Sequence, residues 1–403
     1  MLHALPIIFG GGSNQSWTGP TSWIGSLVPG IADNAQIAAG SATVTGSVSV
    51  GSLTLSGGGI NGTGTLTLLS TGSNWSGGAL TFTSGGGLTQ ASGGTWTIST
   101  TANHDYNATT LVNNGTIDWT GGALQSGNGG SLTVASGATF IDNAGAAINS
   151  NLGGTATFTN NGSFHKLSSG TTTISQVFNN NGSALLSAGT LVLNGGGSAG
   201  AGASYNVDPG ATLTFGGGTH TIAGGASFAG SGNIQLTGGA LGVSDGSATF
   251  SNLSLSGGTL GGAGNATIAG LVQTSGATNV SSLTLTGVSL WQGGSWSTSA
   301  ASTALIGATA TLSIQSASTH DFNFRAITNN GTVNWTGGTL QTGNNGSFTN
   351  NLTFNDSASG TSAVQFTNGN GGVGTFNNSA GATYTKTATG TTTFSGAAFN
   401  NSG

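Results

Sequence analysis

The sequence has no cysteine and no glutamate, and only 3 of its 403 residues are Lys or Arg. Without cysteine it cannot form a disulfide framework or a thiolate metal site. Three scattered basic residues cannot neutralise a phosphate backbone, which needs clustered Lys and Arg, so nucleic-acid binding is excluded. A chain with 3% charged residues also lacks the Glu and Lys that usually cover the solvent face of helices, which argues against a helical protein.

Long hydrophobic runs are also missing. No segment approaches the roughly 20 apolar residues of a membrane span, so no span is predicted. The opening residues 1–9 are apolar, but no basic residue precedes them and Gly10–Gly12 follows at once, which makes a poor signal peptide. We therefore expect either export through a signal that this sequence does not display or a chain that is part of a longer protein.

The sequence is rich in glycine, with 78 residues, yet 35% of it is hydrophobic. A Gly/Ser bias alone is typical of low-complexity disorder. Here the apolar residues occur in short alternating segments such as Leu53–Leu55, Leu66–Leu68 and Trp96–Ile98. Alternation of this kind buries one face of a strand, and the Gly- and Asn-rich segments between supply the turns. The pattern predicts an all-β protein.

Internal repetition is the strongest signal in the sequence. The segment 104–122 returns as 320–338, and the segment 170–173 returns as 390–393. Within each long repeat, large apolar residues recur at a shorter and nearly constant spacing, as from Trp75 to Trp96 to Trp119. A short period built from strands fits one coil of a β-solenoid. We predict a right-handed parallel β-helix with coils of roughly 21–23 residues.

This coil period predicts two sets of structural residues. Residues that recur at the coil period are expected to form one interior column, namely Trp75, Trp96, Trp119, Phe140, Trp291, Leu312, Trp335 and Phe354. Asn-Asn-Gly corners are expected to adopt left-handed conformations and stack their side-chain amides as ladders. The predicted corner ladder comprises Asn113, Asn114, Asn160, Asn161, Asn329, Asn330, Asn344 and Asn345.

The repeats divide the chain into an N-terminal capping segment, 1–45, a first long β-helical unit, 46–250, and a second, incomplete unit, 251–403, continuous with the first. The final residues 399–403 match 178–182 in the middle of the first unit. Solenoids usually finish with a polar capping repeat. This ending predicts either a segment of a longer repeat protein or identical subunits that stack head to tail.

Few residues offer chemistry. The pairs His104–Asp105 and His320–Asp321 resemble acid–base dyads, but neighbours on a strand point to opposite faces, so a structural role is expected. Lys166 and Lys386 occupy equivalent places, and we predict solvated corner residues that discourage lateral strand pairing, or contacts to a partner subunit or an acidic glycan. No calcium-binding nonapeptide repeat is present. No catalytic, cofactor or metal site is predicted.

The N-terminal run 12–23, the segment 27–35 and blocks such as Trp119–Gly122 resemble those of bacterial extracellular β-strand-repeat surface proteins, which are adhesin-like and autotransporter-passenger-like. The resemblance extends over nearly the whole chain. It implies a right-handed parallel β-helix that is secreted or displayed at the cell surface and serves as a stalk, an adhesin or a matrix fibre.

These observations together predict a non-enzymatic extracellular structural protein that contributes to a surface fibre, filament or biofilm matrix. Self-association is expected, because low charge removes the repulsion between most soluble proteins. One alternative is an adhesin that binds glycans, or ice, through exposed Thr and Asn rows such as Thr171–Thr173. The other is a polysaccharide-degrading β-helix enzyme, which would require two or more Asp residues to gather beside Arg325 or a lysine.

Overall fold

The computed structural model describes residues 6–83, 85–358 and 364–403; the first five residues of the apolar opening lie outside this set. The fold is all-β, with parallel strands stacked coil upon coil into a β-solenoid of about 17 turns, which confirms the predicted fold class. Only one helical turn, the 3-10 helix Pro20–Ser22, occurs among the described residues. By its internal contacts the chain divides into two compact units. The first unit comprises Met1–Ser198 and Ala203–Thr212, and the second unit comprises Ala199–Gly202 and Leu213–Gly403; the terms first unit and second unit refer to these ranges from here on.

Most strands are short. In the N-terminal half they are β1 Ile7–Ile8, β2 Gln15–Ser16, β3 Asn34–Ile37, β4 Ser41–Val44, β5 Ser47–Val50, β6 Ser52–Gly62, β7 Thr65–Leu68, β8 Ser73–Phe82, β9 Gly87–Gln90, β10 Thr95–Ile98, β11 His104–Asp105, β12 Thr110–Asn113, β13 Thr116–Trp119, β14 Leu124–Gln125, β15 Ser131–Val134, β16 Thr139–Asp142, β17 Ala147–Asn149, β18 Thr157–Asn160, β19 Ser163–Lys166, β20 Thr171–Ile174, β21 Val177–Asn180, β22 Ser183–Leu186, β23 Thr190–Leu193, β24 Gly197–Ala199 and β25 Ser204–Val207.

The C-terminal half continues the same pattern. Its strands are β26 Thr212–Phe215, β27 Thr219–Ile222, β28 Ser227–Ala229, β29 Asn233–Leu236, β30 Ala240–Val243, β31 Ser247–Phe250, β32 Leu253–Leu255, β33 Thr259–Ile268, β34 Leu271–Gln273, β35 Ala277–Leu285, β36 Val288–Trp291, β37 Ser302–Ile306, β38 Thr311–Ile314, β39 Thr319–Asp321, β40 Arg325–Asn329, β41 Thr332–Trp335, β42 Thr339–Gln341, β43 Ser347–Asn350, β44 Thr353–Asp356, β45 Val364–Thr367, β46 Thr375–Asn378, β47 Thr383–Lys386, β48 Thr392–Ser395 and β49 Ala398–Asn401.

A coil usually contains three strands, because each strand pairs in parallel with the third strand after it. Strand β10 pairs with β13, β11 with β14 and β12 with β15. In most of the short strands the second and fourth side chains are buried, as in Thr116–Trp119. The alternation in the sequence therefore decides which residues face the interior, and the backbone groups of each coil pair with its neighbours.

Coil length varies more than the sequence period suggests. In the first unit Ile37 pairs with Leu55 across a short coil, whereas in the second Asp356 pairs with Lys386 across a much longer one. The coils differ mainly in the number of residues at their corners, where the backbone passes close to the preceding coil. Gly122 has a φ of 69°, and a Cβ there would overlap the carbonyl oxygen of Ala102. Only glycine satisfies both conditions without strain.

The N-terminal segment is held by three aromatic side chains that the coil period does not include. The 3-10 turn Pro20–Ser22 places the Trp23 ring 5.0 Å from that of Trp17 and 5.2 Å from that of Phe9. The Trp23 indole nitrogen donates to the backbone oxygen of Trp17 at 2.7 Å. These three residues are buried and form an apolar cluster in the first unit.

Candidate functional site

The large apolar residues of the first unit occupy two neighbouring interior columns rather than one. In one column, Ile98 pairs with Trp75 on the preceding coil and with Trp119 on the following coil. In the other column, Ile117 pairs in the same way with Trp96 and with Phe140. The Trp75 and Trp96 rings stack diagonally between columns at 5.6 Å and 13°. A shift of two positions keeps a side chain on the inner face, because strand side chains alternate with period two. Because the spacing of these residues in the sequence is nearly constant, the prediction assigned to one column residues that lie in two.

The second unit has the same arrangement. Trp291 pairs with Ile314, and Ile314 with Trp335, while Leu312 pairs with Val333 and Val333 with Phe354. Trp291 also stacks on Trp296 at 4.2 Å, with ring planes within 2°. All eight residues of the predicted column are buried, and they lie in two adjacent columns of each unit. Such contacts combine large apolar burial with favourable ring geometry.

Buried asparagines form an inner ladder at one corner. Asn160 donates from Nδ2 to Oδ1 of Asn180 at 2.8 Å in the first unit. In the second unit Asn329 donates to Asn350, and Asn350 to Asn378, both at 2.8 Å. Asn113 is buried too, but it donates to the Thr139 backbone oxygen and accepts from the Gly115 amide. Each side-chain amide thus bonds to polar groups that the tight corner would otherwise leave without hydrogen-bond partners.

The other predicted ladder residues behave differently. Asn161 accepts from Asn181, and Asn330 from Asn351, both at 2.9 Å, so these side chains form an outer ladder. Asn114 is half-buried. Among the predicted corner residues, only Asn344 and Asn345 have a left-handed backbone, with φ of 51° and 67°. The left-handed conformation expected at all four Asn-Asn-Gly corners thus occurs at one.

Lys166 is not the solvated corner residue that the sequence predicted. Its side chain and that of Asp142 are both 0% exposed, and its Nζ lies 3.8 Å from Asp142 Oδ2. Nζ donates to the backbone oxygen of Ser168 at 2.7 Å and to the Ser168 hydroxyl. Burial raises the pKa of Asp142, opposed by the Thr172 hydroxyl, and burial lowers the pKa of Lys166, opposed by Asp142. The pair lies in the same column as Trp119.

An equivalent pair lies in the second unit. Lys386 Nζ is 3.1 Å from Asp356 Oδ1, with Asp356 fully buried and the Lys386 side chain 26% exposed. Tyr384 and Thr392 donate their hydroxyl hydrogens to Asp356 Oδ2 at 2.7 and 2.6 Å. Burial and this carboxylate raise the pKa of Tyr384. Lys386 thus contacts its own chain, and both lysines are tied to an aspartate one coil before them.

Arg325 is fully buried and binds the backbone of the second unit. Its guanidinium donates to the carbonyl oxygens of Trp296 at 2.6 Å, Thr303 at 2.6 Å, Thr278 at 3.1 Å and Val280 at 3.0 Å. Burial lowers the pKa of Arg325 to about 10.

At the matching place in the first repeat, the residue is Thr109, which donates its hydroxyl hydrogen to the Leu80 carbonyl at 3.0 Å.

The histidines of the two His–Asp pairs, His104 and His320, pack against tryptophans and point away from the adjacent aspartates. His104 lies edge-on to Trp75 at 4.9 Å and His320 to Trp291 at 5.0 Å, and both are 0% exposed. His320 Nε2 lies 3.1 and 3.0 Å from the carbonyl oxygens of Trp291 and Gln315, so this nitrogen carries the proton. Burial lowers the pKa of both histidines. As expected from strand alternation, the adjacent Asp105 and Asp321 face the other way and are half-buried.

The second unit contains several cavities. One holds about 560 Å³ and is lined by residues that include Lys386, Phe394 and Phe399. Another, of about 330 Å³, lies beside the loop 298–302. In the described ranges, no group of three or more His and Asp side chains is placed to hold a metal ion. Nor do those ranges contain a helix long and apolar enough to cross a membrane.

Sequence reasoning missed the aspartates that pair with the lysines and missed the role of Arg325. One signal was present: Asp142 follows Trp119, and Asp356 follows Trp335, by about the length of one coil, which places both acids in line with a buried tryptophan. Arg325 offered no comparable pattern, because its counterpart in the first repeat is a threonine. Comparison with family models, curated proteins and solved structures found no match to this chain.

Proposed function

We propose that this chain is a non-enzymatic extracellular structural protein, a β-solenoid element of a cell-surface fibre or biofilm matrix that self-associates. One observation carries the proposal. The large polar side chains inside the coils bond to the chain itself, as Arg325 does to four carbonyl oxygens and Asn350 to both neighbouring coils. An interior that uses its polar groups for cohesion suits a protein whose role is to persist as a shape.

The distribution of charge supports self-association. Asp142, Lys166, Arg325 and Asp356 are buried, which removes four of the few charged residues from the surface. What remains outside is largely Gly, Ser, Thr and Asn, with a formal net charge of −5 over 403 residues. Weak repulsion lets neighbouring molecules approach, and exposed amide and hydroxyl groups then supply hydrogen bonds.

The extracellular location rests on the resemblance to bacterial β-strand-repeat surface proteins, carried by the N-terminal run 12–23 and by blocks such as Trp119–Gly122. Antibody labelling of intact cells that produce the protein tests it. Labelling without permeabilisation is expected. Labelling that requires permeabilised cells would remove the fibre and matrix roles together.

Self-association is tested by sedimentation and electron microscopy of the purified full chain over a range of concentrations. A half-exposed row formed by Thr311, Thr332 and Thr353 offers the control, since these residues pair directly on successive coils of the second unit. Changing all three to Lys should reduce association at low salt, whereas changing them to Ser should not. Wild-type protein that stays monomeric at every concentration would overturn the proposal.

The same threonine row favours a second candidate function, recognition of a glycan or of ice. Thr383 extends the row to a fourth hydroxyl, and the hydroxyls repeat at the strand spacing of about 4.8 Å. Glycan arrays and ice-recrystallisation assays separate this candidate from a purely structural role. Binding that is lost in Thr332→Val and kept in Thr332→Ser would favour recognition. The enzymatic alternative is tested by incubating the chain with polysaccharides and measuring new reducing ends.

A further inference from the structure

The Asp142–Lys166 pair is an unusual use of two ionisable residues. Both side chains are 0% exposed and the Nζ to Oδ2 distance is 3.8 Å, which is contact without a hydrogen bond between them. Lys166 directs its donors to Ser168 instead. Two charges removed from water need close, well-formed hydrogen bonds to recover their desolvation penalty. Lys166 and Asp142 make no such bond to each other, so their mutual attraction recovers little of that penalty.

We propose that Lys166 and Asp142 are the site of an intramolecular amide cross-link that joins two successive coils. Nζ of an uncharged Lys166 attacks Cγ of a protonated Asp142. The new C–N bond forms as the carboxyl C–OH bond breaks, and that hydroxyl leaves with one amine hydrogen as a water molecule. The reaction is a condensation without a change of oxidation state, and it needs no other reactant.

The surroundings favour each requirement of this step. Burial raises the pKa of Asp142 and lowers that of Lys166, which favours the uncharged acid and amine. With two hydrogens donated to Ser168, the amine lone pair is free for attack. The two groups are already within contact distance on paired strands, where proximity accelerates reaction strongly.

The carboxyl group also has donors that can stabilise the tetrahedral intermediate. The Thr172 hydroxyl donates to Asp142 Oδ2, and the Gly145 amide donates to Oδ1 at 3.0 Å. Preorganised donors at a carbonyl oxygen that gains negative charge lower the barrier to acyl transfer. Thr172 is fully buried, so solvent water does not compete for this position. Thr172 is a positioning residue, since it bonds to the carboxyl that reacts.

The second pair supplies an internal comparison. Lys386 approaches Asp356 at hydrogen-bond distance and its side chain is 26% exposed. A direct hydrogen bond already joins these two groups and water reaches the Lys386 side chain, so no cross-link is expected at this pair. The proposal is independent of the extracellular and self-association proposals, since the cross-link lies inside one chain.

The decisive measurement is the intact mass of the denatured full chain. The expected mass is lower than the sequence mass by one water molecule, and peptide mapping should recover a branched peptide that joins Asp142 to Lys166. The loss should vanish in Lys166→Met and persist in Lys386→Met. Thr172→Val should slow formation in freshly refolded protein by about tenfold or more. A wild-type mass equal to the sequence mass, with Lys166 recovered in a linear peptide, would overturn the proposal whether or not the variants fold.

Discussion

The side-chain amide of Asn329 donates to the side-chain oxygen of Asn350 across 2.8 Å, inside a corner where both residues are fully buried. Asn350 passes the pattern on, donating to Asn378 at 2.8 Å and to the Thr383 backbone oxygen at 3.1 Å. One side chain thereby links three coils of the second unit. A buried ladder of this kind is strong only while every member is present.

Asn350→Ala should therefore lower the free energy of unfolding by about 1–3 kcal/mol, because it leaves the Asn329 amide and the Asn378 oxygen without their partner. Chemical denaturation of the full chain measures the loss. Asn351→Ala is the matched control, since this exposed neighbour belongs to the outer ladder, and its effect should stay within about 0.5 kcal/mol. Equal effects of the two changes would contradict the distinction between inner and outer ladders.

Arg325→Met should destabilise the second unit by at least about 3 kcal/mol, since four carbonyl oxygens lose a charged donor in a buried site. Thr109→Val at the matching place of the first repeat removes one hydroxyl, which donates to the Leu80 carbonyl and accepts from the Phe82 amide. It should cost about 1 kcal/mol. Hydrogen exchange of the affected coils reports each loss locally. A smaller effect for Arg325 than for Thr109 would show that the carbonyl groups find other donors.

The buried histidines predict a stability that decreases in mild acid. The pKa of His104 and His320 is lowered from 6.5 in the folded protein by burial, so the unfolded chain takes up protons first as the pH falls. Stability is then fully present above about pH 6.5 and decreases below it, by up to about 1.4 kcal/mol per pH unit for each histidine.

Denaturation at several pH values between 7.5 and 5.5 measures this slope. The double variant His104→Gln and His320→Gln should have a smaller slope over the same range, although it is less stable throughout. Asp142 is unchanged in that variant, so its raised pKa contributes equally to both proteins. Parallel slopes for the wild type and the double variant would argue against neutral buried histidines.

The stacked tryptophans should dominate local stability. Trp96 is 1% exposed and lies 5.6 Å from Trp75, so Trp96→Ala should cost about 3–5 kcal/mol through lost burial and the cavity it leaves. Val288→Ala is the control, because Val288 is 76% exposed despite its place in a strand, and its effect should be within about 0.5 kcal/mol. Urea denaturation followed by tryptophan fluorescence distinguishes the two. A Trp96 loss no larger than that of Val288 would mean that the column collapses around the gap.

The sequence by itself determined that the chain is a parallel β-solenoid, because alternation with period two and recurrence at the length of one coil admit few other folds. It did not determine the register. Trp75 and Trp96 recur at the coil period, yet Trp75 pairs with Ile98. A slip by two positions keeps the same side chains inside, so corner length alone decides between the alternatives.

Only the tertiary structure decided what the rare charged residues do. Lys166 pairs with Asp142 of the preceding coil, and Arg325 reaches the carbonyl of Thr278, 47 residues away along the chain. Their partners are therefore set by which coils stack and not by neighbouring sequence. Sparse charges in a polar, glycine-rich chain look like surface residues. Four of them are buried because the stacking of successive coils encloses them. Asp142, Arg325 and Asp356 hydrogen-bond to residues of adjacent coils.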